Sequence, residues 1–432
     1  MRISILLLGV VLSLFAIPAH AYRMSAWVPS WDSSAPTILG VHSRDLDETN
    51  PGWLYANADG TVRITGEDAR LRAALAGTLL MPTLKNYVNG SFDGAMMTAI
   101  LNSDALREKH ADAIAQLVVQ NGYDGVDVDY ERLTSSAKAG FTTFIQLLGG
   151  KLHASNKKLS VTLSVSGGGQ DWTAVGAVAD SVKIMAYDYH WSTSAAGPIS
   201  PLDWLDQIAT SAERAMPAQK VMIGLPWYGY DWLGTAGSAV TYAQAMTRAQ
   251  SSGINVGHDA NGEATYTYDN RTVFFQDAES YRRKVQSILA KHSGIGGFAH
   301  WRVGAEDPAI WEVVSQLHSG GSAPTTTIPP KDFMIDGPLE VLMTAGTQSS
   351  ARYSFVGING FTGPVTVTAQ PLDAFKGSVT VSGTSLLFDV SLLTAAGNYR
   401  VALTMAGSGI SHETVVVLRV SAPKVTKHRA AR

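Results

Sequence analysis

Cysteine is absent from all 432 residues of the sequence, which excludes disulfide bonds and a lipidated cysteine anchor. An excess of positive charge is absent too, since 33 Lys and Arg residues stand against 36 Asp and Glu residues. With a net charge of −3, the chain has no basic field that would attract nucleic acid. Only 16% of residues are charged, whereas ten are tryptophan. Indole rings stack on the apolar faces of sugar rings but also fill protein cores, so both roles stay open.

Three common catalytic motifs are missing as well. No two histidines have a metal-ligand spacing such as His-Glu-x-x-His. The run Gly167-Gly168-Gly169 lacks the Lys-Ser/Thr of a phosphate-binding loop, and there is no Gly-x-Ser-x-Gly elbow. The chemistry of the chain therefore has to rest on other groups.

Long apolar runs are confined to the N-terminus. Arg2 precedes an apolar run from Ile3 to Ile17, and Ala19-His20-Ala21 follows it, which is typical of a signal peptide with an A-x-A cleavage site. The run is shorter than the roughly 20 residues of a membrane-spanning helix, although an uncleaved anchor stays open. We expect a signal peptide at 1–21, export to the periplasm or beyond, and no stable membrane insertion. An exported chain without disulfides is more typical of a bacterium than of a eukaryote.

From Tyr22 onwards, strand-like and helix-like segments alternate, which predicts a parallel α/β architecture. Helical patterns include Asp104–Asn121 and Phe141–Ser155. Eight strand-plus-helix units over about 300 residues fit a (β/α)8 TIM barrel. The candidate strands are Met24–Pro29, Thr37–His42, Gly77–Leu84, Gly125–Glu131, Leu159–Ser166, Val182–Tyr189, Val221–Trp227 and Gly296–Trp301.

The interval between the last two candidate strands is unusually long. A helical pattern at Tyr242–Ser252 and strand patterns at Ala264–Tyr268 and Thr272–Gln276 predict a small α+β insertion at about 232–293. We expect the insertion to line the groove at the top of the barrel. The barrel domain, with this insertion, is predicted to span 22–318.

Beyond the barrel, Gly, Ser, Thr and Pro dominate a predicted linker at 319–333. About seven short strand patterns follow, which predict an immunoglobulin-like all-β sandwich at 334–422. Its role as a spacer or as a binding module is open. A basic tail at 423–432 ends the sequence.

Acids alternate with apolar residues in the stretch Asp124-Gly125-Val126-Asp127-Val128-Asp129-Tyr130-Glu131. Side chains alternate between the two faces of a strand, so Asp127, Asp129 and Glu131 should share one face, about 6–7 Å apart. Carboxyl groups that close cannot all ionise, and one that keeps its proton suits a general acid. The pattern predicts a catalytic strand, while a solvated edge strand and an Asp-x-Asp metal site stay open.

The octapeptide resembles the Asp-Gly-x-Asp-x-Asp-x-Glu signature of family 18 glycoside hydrolases at every fixed position, and the resemblance covers roughly Met24 to Val314. It implies substrate-assisted catalysis without a protein nucleophile, metal or organic cofactor. By resemblance, Glu131 would be the general acid, Asp129 would orient the sugar's acetamido group, and Asp127 would share a proton with Asp129. The implied partner is an N-acetylated polysaccharide or oligosaccharide, bound by a monomer.

A second motif ends the sixth candidate strand, Met185-Ala186-Tyr187-Asp188-Tyr189, and resembles the family's Met-x-Tyr-Asp. The resemblance implies that Tyr187 and Asp188 hold the N-acetyl group, with Met185 and Tyr189 beside the substrate. An aromatic core stripe with one capping acid is the alternative. The following His190-Trp191-Ser192 and Gly197-Pro198 resemble the branch with peptidoglycan-active and spore-cortex-lytic members.

Further substrate-binding candidates lie at other strand ends. Trp301 would floor the sugar subsite by resemblance, although a buried barrel tryptophan is the alternative. Trp227 and Tyr228 lie on a Gly/Pro-broken loop that suits a sugar-stacking rim or a packed corner. Asn86, next to Lys85, could reach the groove.

Taken as a whole, the sequence predicts a secreted glycosidase that cleaves β-linked N-acetylglucosamine glycans. Chitin and peptidoglycan stay open as substrates, as do endo and exo cleavage. A silent lectin on the same barrel and a metal-dependent transferase using Asp127 and Asp129 are the competing classes.

Overall fold

The computed structural model describes residues 21–165, 168–320, 332–336, 338, 340–358, 364–407 and 410–423. Nearly all of the predicted signal peptide and basic tail, and most of the predicted linker, lie outside these ranges. The chain folds as two compact units, Met1–Thr325 and Thr326–Arg432. No helix within the described residues is long and apolar enough to cross a membrane.

The first unit is a TIM-barrel-like α/β fold whose neighbouring barrel strands are all parallel. The barrel closes because the first strand pairs with both the second and the eighth. The third strand is split into two short pieces, of which one pairs with the second strand and the other with the fourth. The barrel strands are Arg23–Val28, Glu48–Pro51, Leu79–Leu80 with Thr83–Lys85, Gly125–Asp129, Lys158–Ser164, Ser181–Met185, Val221–Pro226 and Gly297–Trp301.

Helices and short strands surround the barrel. The α-helices of this unit are Ala35–His42, Ala69–Ala74, Gly94–Asn102, Asp104–Gln120, Lys138–Ala154, Trp172–Val178, Leu202–Ala215, Tyr242–Ser251, Ala278–Lys291 and Ile310–His318. Short 3₁₀ turns lie at Ser43–Asp45, Ser135–Ala137 and Ala218–Lys220, and minor strands at Leu54–Ala56, Val62–Ile64, Tyr87–Val88 and Ser91–Phe92. The helices predicted at Asp104–Asn121 and Phe141–Ser155 thus form, with ends shifted by a few residues.

The predicted second strand, Thr37–His42, is wrong. This segment lies in the helix Ala35–His42, and the second barrel strand is Glu48–Pro51. The run Thr-Ile-Leu-Gly-Val has the β-branched residues of a strand. Pro36 in the first turn favours a helix start, however, and Leu39 is buried on the helix's inner face.

Between the seventh and eighth barrel strands lies a five-stranded antiparallel sheet with one helix. Its strands are Tyr228–Leu233, Ala236–Thr241, Gly257–His258, Ala264–Tyr268 and Arg271–Phe275. The helix Tyr242–Ser251 begins with a capping box in which Thr241 and Gln244 bond each other's backbone N–H groups. Asp231, buried in the sheet, accepts from Arg271 Nε at 2.7 Å and from Arg248 Nη1 at 2.6 Å.

The second unit consists of β-strands over its own core, which includes Phe388, Leu403 and Leu418. The strands form a four-stranded, a three-stranded and a two-stranded sheet. They are Asp332–Asp336, Glu340–Thr344, Gln348–Arg352, Ser354–Ile358, Thr366–Pro371, Gly377–Ser382, Ser385–Val390, Gly397–Gly407 and Ile410–Ser421.

The fourth barrel strand is placed by close backbone packing at its start. A Cβ atom on Gly125 would lie 2.2 Å from the Lys158 carbonyl oxygen of the fifth strand, so no larger residue fits this register. Val126, Val128 and Tyr130 then pack into the main core. Parallel strands are covered on both faces, which leaves the alternate residues of this strand to face the barrel interior.

Candidate active site

The predicted alternation of the catalytic strand is confirmed. Val126 and Val128 are buried in the core, and the Tyr130 hydroxyl lies 2.5 Å from His110 Nε2 on the surrounding helix. Asp127 and Asp129 are also buried, but towards the barrel interior. Because the strand is central and covered on both sides, the edge-strand alternative is wrong.

A cavity of about 630 Å³ opens at the C-terminal ends of the barrel strands. That volume suits a small ligand or a few sugar rings. Six of the predicted site residues line it: Asp129, Glu131, Met185, Tyr187, Asp188 and Trp301. Other lining residues include Trp27, Trp31, Tyr55, Lys85 and Arg132, whereas none comes from 232–293. The expectation that the insertion lines the groove is therefore not met for this cavity.

Glu131 is poised to carry a proton near neutral pH. Burial raises the pKa of Glu131 to about 7, with Asp188 adding to the rise while Arg132 and Lys85 oppose it. Asn86 fixes the backbone at this position, since its Oδ1 accepts from Glu131 N at 3.0 Å and its Nδ2 donates to Glu131 O at 3.0 Å. A carboxyl group with this pKa can donate a proton and later accept one.

Asp129 lies beside Glu131 with an open hydrogen-bonding position. Burial, followed by the charges of Glu131 and Asp127, raises the pKa of Asp129 well above its usual range. Asp129 Oδ1 is buried and makes no hydrogen bond to any described residue. A buried oxygen without a protein partner is costly unless a ligand supplies the donor.

Asp127 lies beneath the cavity and belongs to a buried polar network. It accepts from Trp27 Nε1 at 2.9 Å and from Lys183 Nζ at 3.1 Å, with Thr83 and Thr162 completing its shell. The Lys183 ammonium also donates to Asn50 Oδ1 at 2.8 Å and pairs with Glu48. Asp127 does not line the cavity itself, but three of its donors, Trp27, Thr83 and Thr162, do.

Sequence reasoning missed Lys183, although a signal was present. Residues 183 and 185 have the same parity on the sixth strand, and residue 187 continues this parity just beyond the strand's end. Met185 and Tyr187 line the cavity. The same alternation therefore directs Lys183 into the barrel, where it is fully buried. Glu48 was missed because the second strand was placed in the wrong segment.

Asp188 is held by two tyrosines. The hydroxyls of Tyr228 and Tyr230 both donate to Asp188 Oδ1, the latter at 3.1 Å. Burial raises the pKa of Asp188, while the two hydrogen bonds lower it. Tyr228 is itself buried and does not line the cavity, so its predicted contact with substrate is corrected to a role in positioning Asp188.

Two further binding predictions are corrected by burial and packing, and a third residue does not line the cavity. Asn86 is fully buried and bonds the backbone of Glu131, so its amide is not available to a sugar. Trp227 is fully buried and stacks on His300 with 4.4 Å between ring centroids, which is the packed-corner alternative. Tyr189 does not line the cavity; it is 48% exposed and packs against Trp204 at 5.2 Å.

Trp301 lines the cavity as predicted, within an aromatic wall that the sequence did not reveal. Its ring meets Trp27 and Trp31 edge-on, each at 6.4 Å between centroids. Trp31 is 64% exposed at the rim. Indole faces of this kind offer stacking surfaces for sugar rings.

Within the described residues, no group of three or more His, Cys, Asp or Glu side chains could hold a metal ion. The oxygens of Asp127 are instead occupied by an indole, two hydroxyls and an ammonium. A carboxylate surrounded by four such donors does not suit a metal ligand, so the Asp-x-Asp metal alternative loses its first residue.

Comparison with known proteins adds a family match. The model of "Glycosyl hydrolases family 18" matches residues 88–306. The predicted sporulation-specific glycosylase YdhD of Bacillus subtilis (strain 168) is 29% identical over 226 residues, which cover 48% of this chain and 54% of that protein. The cortical fragment-lytic enzyme of Bacillus anthracis is 27% identical over 329 residues, covering 69% and 74%. The structure of a chitinase from Chromobacterium violaceum ATCC 12472 superposes with a TM-score of 0.64 at 24% identity, covering 69% and 99%.

Proposed function

The chain belongs to family 18 of the glycosyl hydrolases, a family of glycosidases, and from that premise we propose that it cleaves β-linked glycans at N-acetylglucosamine by a retaining, substrate-assisted mechanism. The single observation that carries the proposal is Glu131, which lines the cavity with a pKa raised to about 7 beside the unpartnered oxygen of Asp129. The names of two relatives support a glycan that contains N-acetylglucosamine: the cortical fragment-lytic enzyme, and a class V chitinase of Arabidopsis thaliana that is 25% identical over 294 residues.

In the first step, Glu131 donates its proton to the glycosidic oxygen as the bond from that oxygen to C1 breaks. The carbonyl oxygen of the 2-acetamido group attacks C1 from the opposite face and forms an oxazolinium ion. Asp129 Oδ1 accepts a hydrogen bond from the acetamido N–H and stabilises the positive charge that develops there. Tyr187 and Asp188, which line the same cavity, contribute to holding the acetamido group.

In the second step, the Glu131 carboxylate removes a proton from water, and the water oxygen attacks C1. The C1–oxygen bond to the acetamido group breaks, which regenerates the acetamide and gives retention at C1. Lys183 and the charges around it keep Asp127 fixed beneath Asp129 throughout.

Product analysis tests this function. Mature protein should release N-acetylglucosamine-terminated fragments from chitooligosaccharides or from purified peptidoglycan, as read by mass spectrometry. The same chains after removal of their N-acetyl groups should not be cleaved, because the internal nucleophile is gone. Cleavage of de-N-acetylated chains would contradict substrate assistance, and the absence of any Glu131-dependent product would favour the lectin alternative.

The pH dependence follows from the protonation of Glu131. The acid must be protonated in the free enzyme, and its pKa is raised from 4.5 to about 7. We therefore expect kcat/KM to fall as the pH rises through about 7, since kcat/KM reports groups of the free enzyme. A basic limb near 4.5, the ordinary value for a glutamate, would show that the pKa of the proton donor is not raised.

The remaining parts of the chain carry proposals of their own. We propose export through the N-terminal segment and an immunoglobulin-type fold for the second unit. A four-stranded and a three-stranded sheet over one core support that fold, because constant-type immunoglobulin domains divide their strands in this way. The catalytic proposal requires no residue of this unit.

A further inference from the structure

Lys85 lines the cavity, and its ammonium forms no ion pair with a carboxylate of the described residues. Its ammonium lies 5.0 Å from the Tyr55 ring centroid and 6.0 Å from that of Trp31, held by cation–π attraction. Its Nζ makes no ion pair or hydrogen bond with any residue in the described ranges. A Cβ atom on Gly52 would lie 2.8 Å from Lys85 Nζ, so the glycine leaves the space that the ammonium occupies.

Arg132 is a second cation on the same cavity. It follows Glu131 directly, is exposed, and its guanidinium likewise has no ion-pair or hydrogen-bond partner in the part of the chain that the structure describes. Most charged groups elsewhere in the barrel unit are paired, such as Lys138 with Asp171 at 3.3 Å. Two unpaired cations in one cavity are therefore a distinct feature of this site.

The acids of the cavity do not balance these cations. The pKa values of Asp129, Glu131 and Asp188 are all raised, chiefly by burial, so the carboxyl groups hold protons to higher pH than usual. The side chains of Lys and Arg stay charged over the same range. Near neutral pH the cavity thus has positive charge available for an anionic ligand.

We propose that Lys85, together with Arg132, binds a carboxylate carried by the glycan, so that the preferred substrate is an acidic, peptidoglycan-type strand rather than neutral chitin. The inference rests on the proposed function. In peptidoglycan every second sugar bears a 3-O-lactyl group that ends in a free carboxylate or in a peptide with carboxylates of its own. A sugar next to the cleaved N-acetylglucosamine thus brings an anion into the cavity, where an ammonium bonds it with charge assistance.

A purely electrostatic role for Lys85 has a different signature. Lys85 lowers the pKa values of Glu131 and Asp129, so its loss changes turnover on every glycan alike. A carboxylate-binding role distinguishes glycans that differ only in that carboxylate. The decisive experiment therefore compares ligands and measures binding without turnover.

Binding is measured by calorimetry in the Glu131→Gln background with four glycans of equal length. These are a neutral N-acetylglucosamine oligomer, a peptide-free strand with alternating lactyl-bearing sugars, the same strand with its carboxyls reduced to alcohols, and a peptide-bearing strand. Lys85→Met is compared with Lys85→Arg, which keeps the charge. Lys138→Met is the matched control, because it removes a paired cation outside the cavity.

The expected result is that Lys85→Met weakens binding of the carboxylated strand about tenfold more than binding of its reduced form, whereas Lys85→Arg and Lys138→Met show no such difference. If Lys85→Met weakens binding of the peptide-bearing strand alone, the carboxylate that Lys85 binds belongs to the peptide. If Lys85→Met weakens binding of all four glycans equally, the inference is overturned. It is also overturned if the Glu131→Gln protein with Lys85 intact binds the carboxylated and reduced strands equally. Selective binding without product from the unmutated enzyme would instead contradict the proposed function.

Discussion

Replacing Glu131 by Gln should lower kcat about a thousandfold, which is within the range for loss of a general acid. Glutamine keeps the shape of the side chain but cannot donate a carboxyl proton or later remove one from water. The Asn86 hydrogen bonds join backbone atoms of residue 131, so they survive the substitution. We therefore expect sugar binding to persist, and steady-state kinetics with calorimetry on the same variant would separate the two effects.

Glu306→Gln is a suitable control for this experiment. Burial also raises the pKa of Glu306, but its carboxylate bonds Gly304 N and Trp311 Nε1 and does not line the cavity. Its kcat should stay close to that of the parent protein. If Glu131→Gln retained turnover within about tenfold of the parent, the assignment of Glu131 as the acid would be lost.

Replacing Lys183 by Met should reduce the free energy of unfolding by about 3–5 kcal/mol, the usual cost of removing one partner from a buried ion pair. The fully buried ammonium pairs with Asp127 at 3.1 Å and with Glu48. Methionine has a similar length but leaves both carboxyl groups buried without a cation. Urea denaturation near pH 7 would measure the change. Adding Glu48→Gln should recover part of it, because the two sites are coupled.

The pH dependence of the activity of Lys183→Met tests whether the buried network around Asp127 affects catalysis or only stability. Lys183 lowers the pKa of Asp129, so its removal should raise that pKa further and alter the pH profile of the remaining activity. Lys284→Met is the matched comparison, since Lys284 is equally buried and pairs with Glu263 at 3.0 Å away from the cavity. It should cost stability without moving the pH profile. An unchanged profile in Lys183→Met would separate the network from catalysis.

The fourth barrel strand was predictable because two sequence signals coincide in it. Val126 and Val128 show where the core lies, and the acids between them face the barrel interior. The same parity places Lys183 and Met185 on one face of the sixth strand, with Tyr187 just beyond its end. Alternation with a period of two thus predicts which face of a strand each side chain occupies. This prediction needs no knowledge of which distant elements pack against the strand.

Residues outside that periodicity were not predictable from the sequence. Trp227 and Tyr228 are adjacent aromatics that follow the seventh barrel strand, yet one stacks on His300 in the core and the other bonds Asp188. Asn86 has the residue type of a sugar ligand but closes a backbone clamp on Glu131. Such outcomes depend on which distant element packs against each side chain, and composition does not encode that choice. The helix at Ala35–His42 was missed for a related reason, since burial of one face outweighed β propensity.

The crowded start of the fourth barrel strand has a consequence for how mutational tolerance is interpreted. Intolerance at Gly125 would reflect a spacing limit, because any side chain there would press on the Lys158 carbonyl group and shift the strand. Intolerance at Glu131 would reflect chemistry, and swaps at Val126 or Val128 that conserve volume should be accepted. A deep mutational scan of positions 124–131 would accordingly show two kinds of intolerant position. Substitutions at one kind prevent folding, and substitutions at the other give a folded protein without turnover.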